Sequence, residues 1–302
     1  LNKTKLKQFA KDAVLAVPLR SMFVGVKSVV KLFGLPNKRF YWYLRFRGDF
    51  TVPIDDSRRF RLKNHGSSVE NSIFWAGLTG EWEAASVKIW IKLADEADVI
   101  FDVGANNGVY ALISKAVNPK AKVFAFEPIE RIFEKLEENN RLNDYDIVCL
   151  KYGVSNKDGT AVMYDIPVED SYSSSLNSEF ASERGDEITP TEIKTLRLDT
   201  FIEQNDLPQV DLIKIDVETF EPEVLEGLGE YVEKFKPTML IEVLTDDVAR
   251  RIEKLVGGKD YLYFDINEET GLLEKVERLT KSSSFNFLLC TEDVARRIDI
   301  HK

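Results

Sequence analysis

Apolar residues recur at helical spacing at the start of the chain: Leu6, Phe9, Ala13, Val14 and Val17, then, beyond Pro18, Leu19, Met22, Phe23, Val26, Val29, Val30 and Phe33. This period predicts two amphipathic helices. Phe40, Trp42, Leu44 and Phe46 then fall on every second position, the period of a strand with one buried face or of a domain junction. Further on, apolar runs bounded by turn residues alternate with helical patterns. A strand is predicted from Val99 in a buried apolar run that ends in Asp102, and others at Lys122–Phe126 and Asp146–Leu150, with a helix at Arg131–Asn140 that carries Ile132, Phe133 and Leu136 on one face. Thr160–Ile166 and Glu192–Leu198 read as strands flanking a polar insertion, 167–190. The pattern resumes with a strand at Val210–Val217, a helix at Glu221–Lys234, a strand at Thr238–Val243, a helix at Asp246–Leu255, and strands at Tyr261–Ile266 and Ser284–Cys290. Such alternation predicts an α/β domain whose mainly parallel sheet is covered by helices on both faces. The chain divides accordingly into an accessory segment, 1–76, and an α/β domain, 77–302.

The stretch Val99–Ser114, VIFDVGANNGVYALIS, runs from a buried strand through a glycine turn into a helix start. Gly104 and Gly108 allow the backbone to approach a ligand, and the first helical N–H groups are free to bind it, Asn106 lying between them. Dinucleotide folds spell this turn G-x-G-x-x-G to admit a pyrophosphate, whereas here it is G-x-x-x-G with Asp102 two residues ahead. An acid there repels pyrophosphate but accepts hydrogen bonds from the ammonium end of S-adenosylmethionine. The next strand closes on Glu127-Pro128, where a carboxylate can take both hydroxyls of a ribose. Taken singly, Asp102 is equally well a helix cap and Glu127 an ordinary solvated acid.

These segments, read with LRLDTF at Leu196–Phe201, Asn139–Asn143 and DLIKIDVETFE at Asp211–Glu221, resemble the FkbM family of methyltransferases over roughly Gly77 to Cys290. The resemblance implies a Rossmann-like class I methyltransferase with a seven-stranded sheet, the last strand antiparallel, and S-adenosylmethionine as cofactor. It implies binding above the carboxyl ends of the first and fourth strands, where Asp102 and Asp216 converge. It also implies that Glu81, in GLTGEWE, touches the methionine portion and that Gly153 and Val154 lie near the adenine. Thr219 departs from the family glycine. A β-branched residue disfavours a left-handed backbone, so a tighter or shifted turn is predicted there.

Composition narrows the chemistry. With 302 residues and 44% hydrophobic content the chain can bury one substantial core. Cys149 and Cys290 lie in apolar strands and read as core thiols of a reducing, cytoplasmic compartment. His65 and His301 have no Cys or His at ligand spacing, which argues against zinc. The net charge of −10 is uneven: residues 1–63 hold 15 Lys/Arg against 4 Asp/Glu. This basic amphipathic stretch fits a helical cap on the catalytic domain, or contact with an anionic membrane at its inner face; its lysines interrupt any run long enough to span a bilayer. KRFYWYLRFR at 38–47 mixes cations and aromatics as a nucleic-acid platform does, but the acidic remainder disfavours nucleic acid. The serine-rich insertion reads equally as a lid over the acceptor or as a tolerated loop. Nothing in the pattern points to a particular oligomeric state.

The expected function is S-adenosylmethionine-dependent O-methylation of a hydroxyl on a sugar, a glycan or a related natural product. Alternatives are an RNA-directed methyltransferase and a non-catalytic nucleoside- or glycan-binding module. Asp216, Glu218 and Glu242 are the candidate proton acceptors. The same three are the candidate ligands if Mg²⁺ is used, and Asp216, Glu218 and Glu221 could instead cap the next helix. Lys214 reads as a partner of one of these acids.

Overall fold

A computed structural model describes residues 47–165, 174–175 and 189–298. The expected N-terminal helices, the strand at Phe40–Phe46 and nearly all of the 167–190 insertion lie outside the described residues. The described chain forms two compact units that divide between Trp82 and Glu83.

In the first unit, β1 (Gly48–Pro53) and β2 (Arg59–Asn64) pair antiparallel and α1 (Ser68–Ala76) follows. Phe50, Val52, Phe60 and Leu62 alternate inward along the hairpin. Ser67 and Glu70 cap α1 reciprocally, each side chain accepting from the other's backbone N–H. None of these elements was assigned from the sequence, whose charged and aromatic residues are mixed here without a long apolar run.

The second unit begins with α2 (Ala84–Ala94), β3 (Val99–Val103), α3 (Val109–Val117), β4 (Lys122–Phe126), α4 (Glu130–Leu142) and β5 (Val148–Leu150). Short β6 (Gly153–Val154), β7 (Gly159–Asp165), β8 (Ser174–Ser175) and β9 (Thr189–Leu196) form a second sheet in the order β6-β9-β7-β8. Next come α5 (Leu198–Gln204), β10 (Leu212–Ile215), α6 (Glu221–Leu228), α7 (Tyr231–Lys234), β11 (Thr238–Glu242), α8 (Asp246–Val256), β12 (Leu262–Ile266), β13 (Leu273–Val276), β14 (Asn286–Cys290) and α9 (Glu292–Arg297).

The main sheet runs β13-β12-β14-β11-β10-β3-β4-β5. Strands β5, β4, β3, β10 and β11 are parallel, and β14 enters antiparallel between β11 and β12. This is the expected Rossmann-like order with one correction: the sheet has eight strands, not seven. The additional β13 is a short edge strand whose Glu274 and Lys275 break the apolar pattern; charge of this kind protects an open edge and hides the strand from periodicity. A second correction concerns the helix expected at Glu221–Lys234, which breaks at Gly229 (φ 59°) into α6 and α7.

The sheet is buried on both faces, and one large apolar cluster covers the face that carries Phe101 and Phe124. Phe101, Phe124 and Phe126 from β3 and β4 surround Phe201 of α5 in edge-to-face contacts with ring centroids 5.3–5.9 Å apart. Because side chains alternate along a strand, Asp102 between Phe101 and Val103 turns to the opposite face. Cys290 is fully buried and Cys149 partly so; both are free thiols pushed up to about 12 by desolvation.

Candidate active site

The chain order reverses between β3 and β10: β4 and β5 extend the sheet on one side, β11 on the other. In open α/β sheets, ligands bind outside the carboxyl ends of the strands at such a switch point. Gly104 follows β3 with φ +80°, and its N–H donates to the Phe126 carbonyl. A Cβ there would lie 1.9 Å from the Asp216 carbonyl oxygen, so only glycine lets the two loops meet. Asn106 (φ 54°) and Gly108 (φ 89°) continue the turn in left-handed conformations. The fully buried Asn139 of α4 clamps it by donating to the Asn107 carbonyl at 2.8 Å.

Asp102 Oδ2 accepts from the Ala111 N–H at 3.0 Å, inside the first turn of α3. Burial pushes its carboxyl up to about 7, against the opposing pull of Lys214 and of that hydrogen bond. Glu127 is held at both oxygens: Oε2 accepts from Asn106 N–H at 3.1 Å and Oε1 from Ile129 N–H at 2.9 Å. Desolvation brings it, too, up to about 7. Both acids therefore build the turn as well as facing the crevice.

Lys214, in the middle of β10, is paired in register with Asp102 and is 1% exposed. Its Nζ lies 3.0 Å from Asp216 Oδ2. Burial alone pulls this ammonium down, yet the carboxylates of Asp216, Glu83 and Glu242 hold it above its usual range. The Asp216 side chain, just beyond the strand, keeps 30% exposure. Glu242 at the end of β11 is held well above its ordinary range by burial and by Asp216, Glu218 and Glu221, and its Oε2 has no hydrogen-bond partner among the described residues. Glu221 spends one oxygen on the N–H groups of Val217 and Thr219, in the turn ahead of α6 and not at the helix start expected for it, where no side-chain cap forms. Glu218 (φ 55°) stands in the intervening turn, and its charge raises both Glu221 and Glu242.

Thr219 corrects an expectation. Its backbone is left-handed (φ 80°) despite its branched side chain, so the turn is neither tightened nor shifted into an extended form. The surrounding hydrogen bonds over-determine it. The side chain is 6% exposed, and its Oγ1 is buried without a partner among the described residues.

Residues 102–266, more than half of the chain, match the methyltransferase FkbM domain. The chain belongs to the FkbM methyltransferase family. Over 180 residues it is 34% identical to the hexuronic acid methyltransferase AglP of Haloferax volcanii, covering 60% of this chain and 69% of that protein. It is 28% identical over 196 residues to the methyltransferase sdnD of Sordaria araneosa, covering 56% and 74%. It is 30% identical over 155 residues to the 2-O-methyltransferase NoeI of Sinorhizobium fredii, covering 48% and 63%.

For this FkbM methyltransferase the family implies S-adenosylmethionine as methyl donor, and the donor set fits that cation. Carboxylates at Glu83, Asp102, Asp216 and Glu242 outweigh the Lys214 ammonium that faces them. A pyrophosphate would be repelled by the same set. Among the described residues no group of three or more His, Cys, Asp or Glu is arranged to hold a metal ion, so Asp216, Glu218 and Glu242 are not gathered into the Mg²⁺ site considered above.

Other expected site residues separate. Gly153 comes close to Pro128: a Cβ on it would lie 3.8 Å from the Pro128 Cβ. The Val154 side chain belongs to the hydrophobic core, which leaves only its backbone to face a ligand. Glu81 falls in the first compact unit, where its Oε2 accepts from Ser72 Oγ at 3.2 Å. Glu83, two residues later and in the second unit, belongs to the cluster around Lys214. It adopts a left-handed conformation (φ 40°) at the head of α2, and Tyr110 Oη donates to its carboxylate. Sequence reasoning missed it because nothing in its spacing sets it apart from the other acids near this helix start. No helix among the described residues is long and apolar enough to cross a membrane.

Proposed function

We propose that this enzyme transfers the methyl group of S-adenosylmethionine to a hydroxyl of a sugar or glycan acceptor, with Asp216 accepting the proton. One observation carries the assignment to Asp216. It stands at the switch point beside the Gly104 turn, it is anchored by Lys214 at 3.0 Å, and its side chain keeps 30% exposure where Asp102 is buried. It is thus an oriented carboxylate open to an incoming hydroxyl. The bound donor supplies an electrophilic methyl carbon. Asp102 and Glu127 hold the turn against which the donor would lie, and Lys214 keeps the Asp216 carboxylate aimed. Positioning of two reactants is worth up to about 7–11 kcal/mol, and a proton acceptor adds roughly 10²- to 10⁴-fold.

The acceptor class is supported by the names of two relatives, a hexuronic acid methyltransferase and a 2-O-methyltransferase. The test is methyl transfer from labelled donor to a panel of uronic acid glycosides, neutral glycosides and RNA. Asp216→Asn is expected to lower turnover by roughly 10²-fold or more with donor affinity nearly unchanged. Glu274→Gln, on the exposed edge of the sheet, serves as control. Wild-type turnover in the Asp216 variant would remove that residue from the chemistry. Labelling of RNA alone would replace the sugar reading.

A further inference from the structure

Tyr110 is held from two sides. Trp90 packs edge-on against its ring with centroids 5.2 Å apart, and the Trp90 indole N–H reaches the Tyr110 carbonyl at 3.2 Å and Ser114 Oγ at 3.0 Å. The Lys214 ammonium lies 5.2 Å from the centre of the same ring, while the phenol donates to Glu83. A continuous path therefore runs from Glu83 through Tyr110 and Lys214 to Asp216, all within one compact unit. Its far end is fixed as well, because Glu268 binds the N–H groups of Ala85 and Ser86 and the Ser86 hydroxyl at the start of α2. Glu83 thus sits at a strained position between a pinned helix start and a pinned ring. A non-glycine residue kept in the left-handed region beside a cluster of buried acids points to a role that offsets its strain.

We propose that Glu83 is a positioning residue for the methyl donor: through Tyr110 and Lys214 it holds in place the groups that face the cationic ligand. The inference rests on the reading of the crevice as the donor site. The groups facing Glu83 are Tyr110 from α3, Lys214 and Asp216 at β10, Asp102 from β3, and Glu268 from beyond β12. Each acts with a definite sign. Burial raises the Glu83 carboxyl to about 7; Lys214 and the Tyr110 hydroxyl oppose that rise, while Asp216 and Glu268 add to it. In turn, the Glu83 charge helps keep Asp102 protonated. Removing the Glu83 charge therefore lets Asp102 ionise at lower pH, and removing the Tyr110 hydroxyl, which makes Glu83 hold its proton to higher pH, acts on Asp102 in the same direction.

The experiment is calorimetric titration of the full chain with S-adenosylmethionine from pH 5.5 to 8.5, for the wild type, Glu83→Gln, Tyr110→Phe and Glu274→Gln. The pH midpoint of donor affinity is expected to move down in Glu83→Gln, by on the order of half a pH unit, and by less but in the same direction in Tyr110→Phe. Glu83→Gln should also bind more weakly than wild type at pH 8. A merely structural role lowers stability without moving the midpoint. Midpoints that stay with the wild type, or move up, overturn the inference. Tyr110→Phe keeps the packed ring and loses only the hydroxyl, so it tests the path even if Glu83→Gln folds poorly. A wild-type chain that binds no donor at any pH overturns the donor-site reading itself, an outcome distinct from a donor that binds with unmoved midpoints.

Discussion

Asp102 and Lys214 stand side by side on the parallel strands β3 and β10, paired in register and each 1% exposed. Lys214 has its own counter-charge in Asp216 at 3.0 Å, and its ammonium in turn opposes the rise that burial imposes on the Asp102 carboxyl, so its removal leaves buried acids without a cation.

Lys214→Met tests this dependence. Loss of the cation is expected to cost about 3 kcal/mol of unfolding free energy at pH 8. The cost should shrink towards pH 5. Asp102 is already shifted up to about 7 by burial, so at low pH it is neutral and no longer needs a counter-charge. Urea unfolding of both proteins at the two pH values measures the difference; an equal loss at both would show that Lys214 contributes packing and not charge.

Donor affinity should depend on pH. Asp102 and Glu127 are raised to about 7 chiefly by desolvation, and a cationic ligand favours their ionised forms. Affinity for S-adenosylmethionine is therefore expected to rise from pH 6 to pH 8, by about tenfold for each carboxyl that must lose its proton. S-adenosylhomocysteine, which lacks the sulfonium charge, should show a shallower rise. Parallel profiles for the two ligands would mean that the sulfonium is not what the acids read.

Glu127→Ala removes an acceptor from the Asn106 and Ile129 N–H groups together. Stability and donor affinity should both fall, each by about 1–3 kcal/mol. Glu127→Gln keeps one acceptor oxygen and should lie between. Calorimetry combined with thermal unfolding separates the two effects, and an alanine variant with unchanged donor affinity would leave Glu127 a purely structural role.

Two left-handed positions flanking Asp216 should respond in opposite ways. Gly104→Ala brings a methyl group against the Asp216 carbonyl and is expected to destabilise by about 3 kcal/mol or more. Thr219→Gly relieves strain and an unpartnered hydroxyl while losing a buried methyl group, so its stability should stay within about 1 kcal/mol of wild type. Unfolding midpoints decide; a large loss in Thr219→Gly would show that the side chain holds the turn by packing.

Periodicity, together with turn chemistry, made most of the second unit legible. The apolar runs at Val99–Val103, Lys122–Phe126 and Thr238–Val243 became adjacent or near-adjacent parallel strands because such runs must be buried on both faces. Asp102, the glycine turn and Asp216 came together because strand order alone brings the ends of β3 and β10 to the switch point. The edge strand β13 escaped because its charged residues serve solvation, and the break at Gly229 escaped because the apolar pattern continues across it.

Local pattern and the sterics of single residues were enough to read the α/β class, the glycine turn and which acids end which strands. How the charges are shared followed from folding. Lys214 faces several carboxylates from different elements, and Tyr110 donates to Glu83. Those are long-range outcomes. The acid at the head of α2 is met by a ring on α3, held by Trp90, and chain spacing does not encode that meeting.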